Sequence, residues 1–164
     1  YDFAVLIFRY RGRGKMQKVG EFYGPADDVE KIREMRLGAN WFLWVSLLAA
    51  ADSIYTFLSG WPSTFFGLGI TRYIDNHYLT GSQADQYAGF GLNLAAAGIL
   101  ALFGYFSRRG NDFAFILGMF LYFTDMVVSL GYRDFWGACF HVLAMFFMFK
   151  GLLASRRRYD PSVE

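Results

Sequence analysis

Asp52, Asp125 and His141 each lie inside a long apolar stretch of this chain, and Asn93 lies inside another. An ionisable or strongly polar group within an apolar segment of this kind costs free energy, so its presence points to a task. Two carboxyls and an imidazole are the groups needed for proton exchange or ion binding and, with further ligands, for a metal centre. Two carboxyls in one dry site repel, which raises at least one pKa. A protonated imidazole beside them would pair with either acid. Asn93 both donates and accepts, so it can satisfy lone pairs that the others leave. Tyr122 lies one turn before Asp125 and Tyr55 one turn after Asp52, and their hydroxyls would extend the same set.

These residues are carried by four nearly continuous apolar runs, 39–58, 88–106, 113–130 and 135–154. Each is close to the ~20 residues a helix needs to cross a ~30 Å hydrocarbon layer. Strands of a membrane barrel would alternate in polarity over ~10 residues, and these runs do not. A helix satisfies its own backbone groups in lipid, so the expected fold is an all-α integral membrane protein with a bundle of four transmembrane helices. Composition agrees: 55% of the 164 residues are hydrophobic and 21% aromatic. Small residues recur at a spacing of four in the second run (Gly89, Asn93, Ala97, Ala101, with a second row of Gly91 and Ala95). Such rows let membrane helices approach closely. Ala49, Ala50 and Ala51 in the first run would face them.

The formal charge of +2 hides an asymmetry. With both termini cytoplasmic, fourteen Lys and Arg lie inside and two, Arg72 and Arg133, lie outside. That is a strong positive-inside bias, and it fixes the orientation. Trp41, Trp61 and Trp136 fall at run ends, where interfacial aromatics anchor helices. In this orientation Asp52, Asn93, Asp125 and His141 all sit roughly 8–9 Å below the outer boundary at ~1.5 Å per residue. One polar residue per helix at a common depth predicts a single site facing the bundle interior.

Outside the spans, residues 1–38 read as a basic cytoplasmic arm, opening with the short apolar run Phe3–Phe8 and ending in a surface helix that begins near Pro25. Its Arg and Lys residues would meet anionic lipid headgroups, and residues 155–164 form a second basic tail. The outer loop, 59–87, contains an apolar stretch too short to cross and is expected to form an interfacial or re-entrant helix. Its Asp75 and His77 would join the buried set if the loop folds back.

Three readings follow for the polar set. It fixes helix register, or it binds a proton, ion or small ligand near the outer face, or it is a metal-dependent hydrolase. The metal reading uses Asp52, Asp125, His141 and His77 around zinc or iron, with a position open to water. Cys139 lies two residues from His141, so it points elsewhere and reads as a packing residue. The aromatic surface suits the lipid bilayer, other membrane subunits or a second copy, and leaves room for a hydrophobic cofactor or bound lipid. No nucleic-acid motif accompanies the basic residues. The chain contains no phosphate-binding loop, nucleophile elbow or His-Glu-x-x-His sequence. A multi-pass protein of a bacterial inner membrane would match this pattern, acting as an accessory subunit or as a proton, ion or ligand binder.

Overall fold

The computed structural model describes residues 26–61 and 68–157. The Phe3–Phe8 run, the basic arm through Pro25, the first part of the outer loop (62–67) and the end of the basic tail lie outside these residues. Among the described residues there are five helices and no strands: α1 (Ala26–Ser59), α2 (Gly69–Tyr78), α3 (Gln83–Arg108), α4 (Asp112–Gly131) and α5 (Phe135–Arg157). All but α2 are long and apolar enough to cross a bilayer. They make the chain a multi-pass membrane protein.

Local sequence sets the helix boundaries. Ser82 and Asp85 form a reciprocal capping box at the start of α3, with Ser82 N–H donating to Asp85 at 2.8 Å. The Asn111 side chain accepts the Ala114 amide at 3.1 Å and starts α4. Between these helices Gly110, at φ 80°, takes the left-handed backbone that a tight turn needs. The Asp134 carboxylate accepts the Gly137 amide at 2.9 Å and starts α5.

The long helices close a ring, with α1 packed on α3 and α5, and α4 packed on α5 and α3. Glycines allow the tightest crossings. A Cβ on Gly38 would lie 2.5 Å from the Gly151 Cα, so α1 and α5 meet backbone to backbone. Phe42, fully buried, occupies space left by Gly104 of α3 and Gly118 of α4, and its ring lies 5.9 Å from that of Phe115. The Gly89, Asn93 and Ala97 row of α3 is buried, and the Ser46 hydroxyl of α1 donates to the Ala97 carbonyl at 2.7 Å. The second row behaves otherwise. Gly91 and Ala95 are exposed, because the face they share points out of the ring. Trp41 is likewise no simple interfacial anchor, since it stacks on Phe147 at 4.7 Å.

Polarity runs opposite to that of a water-soluble bundle. Ser46, Ser53, Thr56, Asn93, Ser107, Asp125, Ser129 and His141 are buried, while Trp44, Leu47, Phe120, Phe123, Val142, Phe146 and Phe149 are exposed. An apolar exterior of this extent is stable in contact with lipid tails and unstable in water.

Candidate functional site

The short helix α2 organises the polar residues. It packs against α3 and α4 at one end of the ring. The residue before it, Leu68, has no side chain able to cap a helix. The Asp125 carboxylate of α4 supplies the cap, accepting the Gly69 amide at 3.0 Å and the Ile70 amide at 2.8 Å. A carboxylate placed there satisfies orphan amides and meets the positive end of the helix dipole. Gly69 permits the approach, because a Cβ there would stand 2.5 Å from the Asp125 carbonyl oxygen and 2.7 Å from the Ser129 amide nitrogen.

His141 of α5 completes this group. Its Nε2 lies 2.7 Å from Asp125 Oδ2, and its Nδ1 lies 2.7 Å from the Gly137 carbonyl. A carbonyl oxygen only accepts, so Nδ1 carries a proton. Nε2 and Oδ2 are then joined by a single hydrogen bond. The Tyr122 ring stacks on the imidazole with centroids 4.4 Å apart and planes 16° apart. Its hydroxyl is buried and has no hydrogen-bond partner among the described residues.

One turn further along α2, Arg72 pairs with Asp134 at 3.0 Å, which ties α2 to the residue that caps α5. Asp75 points towards α3, where Asn93 Nδ2 donates to its carboxylate at 2.6 Å. Asp75 is buried, and removal from water raises its pKa above the usual carboxylate value. The bond from Asn93 works in the opposite direction, and the charge of Asp52 on α1 adds to the rise. Asp75 and Asn93 line a cavity of about 10 Å³ together with Ser53 and Thr56 of α1 and Gln86 of α3. Asn93 Oδ1 is buried there without a partner among the described residues.

The polar residues therefore form two hydrogen-bonded groups. Asp125 and His141 join with the start of α2, while Asn93 joins with Asp75, and Asp52 acts on the second group through its charge. Tyr122 belongs to the first group through its ring. Tyr55 and His77 belong to neither: Tyr55 is exposed on α1, and His77 is exposed at the end of α2, edge-on to Tyr78. The four residues expected to hold zinc or iron, Asp52, Asp125, His141 and His77, do not converge. Among the described residues no three His, Cys, Asp or Glu side chains are grouped as metal ligands. Both ring nitrogens of His141 are already engaged within the protein. Cys139, expected to pack, is exposed on the outer flank of α5.

Sequence reasoning did not find the Gly69 and Ile70 amides as partners of Asp125, nor the Arg72–Asp134 pair. One signal for the first was present: Leu68 precedes α2 where Ser, Thr, Asp or Asn would be expected, so the cap had to come from elsewhere.

Among the described residues, two recesses between helices are lined mainly by apolar side chains. One, of about 260 Å³, lies between α3 and α4 and is lined by Ile99, Leu100, Leu121 and Val128, with Tyr122 and Asp125 also in its wall. The other, of about 460 Å³, lies between α1 and α5 and is lined by Trp41, Trp44, Phe140 and Phe147.

Comparison of the chain with protein-family models, with curated proteins and with solved structures yields no match. The fold and the site by themselves define a multi-pass helical membrane protein with a short fifth helix hydrogen-bonded to its spans.

Proposed function

We propose that this protein is a proton- and ion-binding membrane protein whose binding group is the Asp75 carboxyl. The observation that carries the reading is a buried acid, 2.6 Å from Asn93, whose proton affinity is raised by burial and by a second acid, Asp52. A carboxyl held in this way loads and releases a proton closer to neutral pH than a solvated one does.

In this reading α2 is a re-entrant helix. Its first amides bond to Asp125, six residues before the end of α4 at Gly131, which is about 9 Å along the helix axis at ~1.5 Å per residue. The charge pattern favours cytoplasmic termini, with Arg108, Arg109, Lys150 and Arg156 at the ring end opposite α2. Asp75 then faces the outer side. The Asp125–His141 pair positions α2, and through α2 it positions Asp75.

The test is infrared difference spectroscopy of the reconstituted full chain across a pH titration. A carboxyl band that titrates above the ordinary carboxylate range and vanishes in Asp75→Asn is expected. A spectrum unchanged by that substitution would remove the proposal.

A further inference from the structure

The cavity beside Asp75 has the donor set of a cation site. Beside the amide nitrogens of Asn93 and Gln86, its wall offers several oxygen ligands, which suit hard cations. Asp75 contributes a carboxylate, and Asn93 Oδ1 is buried, lines the same cavity and has no partner among the described residues. The Ser53 hydroxyl, buried in α1, donates its hydrogen to the Ala49 carbonyl at 2.8 Å, which leaves its lone pairs for a cation. Thr56 adds a second hydroxyl to the wall. A buried amide oxygen left unpaired is costly, and a cation would satisfy it.

Size and charge narrow the occupant. The cavity measures about 10 Å³, at the lower limit of the ~10–15 Å³ that one water needs. Calcium takes six to eight oxygens, and magnesium dehydrates reluctantly and keeps several waters. A single lining carboxylate balances a single positive charge. From this geometry we infer that the Asp75–Asn93 cavity binds a sodium ion. The inference rests on the proposed role of Asp75 and names its ion.

The charges balance with one sodium ion held by the one Asp75 carboxylate in the wall. The groups acting on Asp75 are consistent with this. Asp52 on α1 supplies negative charge, and Asn93 on α3 supplies a neutral donor. On α2 itself, Arg72 is held by Asp134, and His77 is exposed. On α4 and α5, Asp125 and His141 pair with each other.

The experiment is equilibrium binding of radioactive sodium to the purified full chain in detergent, with choline maintaining ionic strength. Expected is saturable binding at alkaline pH, displaced by lithium more readily than by potassium. Asp75→Asn should abolish binding, and Asn93→Ser, which withdraws the amide oxygen, should weaken it about tenfold. Either variant locates the site if the other does not fold. Absence of saturable sodium binding to the wild type, or full binding in a folded Asp75→Asn variant, overturns the inference. The infrared titration separates the two proposals. A titrating Asp75 band without sodium binding leaves a proton site only, and a chain with neither result loses both readings.

Discussion

Asp125 Oδ2 lies 2.7 Å from His141 Nε2 and also accepts the Gly69 amide at 3.0 Å. A single carboxylate thus joins α4, α5 and the start of α2. Removing it leaves His141 Nε2 and two buried or partly buried amides without a partner. Asp125→Ala is expected to destabilise the protein by about 3–5 kcal/mol, the usual cost of breaking one side of a buried pair. Asp125→Asn should cost less, because an amide oxygen still accepts one backbone N–H. Thermal unfolding in detergent ranks the two, and equal melting temperatures for Asp125→Ala and wild type would contradict the role given to this residue.

Tyr122 behaves differently from its neighbours. Its ring stacks on His141, but its hydroxyl is buried without a partner among the described residues. Tyr122→Phe keeps the stack and removes an unsatisfied group, whose burial costs about 1–3 kcal/mol. The variant should be at least as stable as wild type. A clear drop in melting temperature would mean that the hydroxyl has a partner in the membrane.

Folding stability should depend on pH through Asp75. Its pKa in the folded protein is raised above 3.8, the ordinary value for a solvated aspartate. The folded state therefore holds the Asp75 proton more tightly than the unfolded state. Below that ordinary value both states are protonated, and this residue adds no pH dependence. As pH rises through the interval between the two pKa values, the unfolded state loses the proton first and stability falls. Asp75→Asn should remove this part of the slope. Unfolding curves collected across the acidic range give the comparison, and an identical slope in the variant would refute it.

The α1–α5 crossing has no spare space at Gly38. A Cβ there would stand 2.5 Å from the Gly151 Cα, so Gly38→Ala must push the helices apart. Overpacking of this kind costs about 1–3 kcal/mol. Gly91 and Gly98 face open space, so Gly91→Ala and Gly98→Ala provide matched controls that should be neutral or slightly stabilising, since alanine is the better helix former. Proteolytic resistance of the folded fraction would separate the crossing from the controls.

Orientation is directly testable through cysteine chemistry. Cys139 is the one cysteine of the chain and lies on the exposed flank of α5. In a Cys139→Ala background, Thr80→Cys between α2 and α3 should react with an impermeant maleimide from outside intact cells. Asn111→Cys, between α3 and α4, should react only after permeabilisation. Reversed labelling would invert the proposed topology.

The four long helices were legible in the sequence because crossing lipid is a local requirement. A segment must be apolar for about 20 residues and must satisfy its own backbone, and both conditions are met within the segment. The expectation that Asp52, Asn93, Asp125 and His141 share one level came from the same counting along helices. Their partners did not. Which residues touch depends on the rotation of each helix about its axis and on where α2 docks, and neither is encoded within one segment. Asp125 pairs with His141 because α4 and α5 are neighbours in the ring, whereas Asn93 turns to Asp75 because α2 lies against α3. Tyr55 sits one turn from Asp52 yet is exposed, because three residues along a helix leave an offset of about 60°, which here carries it off the interior face. The sequence by itself determined that this protein lives in lipid and which of its residues are costly there. Only the tertiary structure decided that those residues serve α2, because a ten-residue helix whose preceding residue cannot cap it must take its cap from another helix.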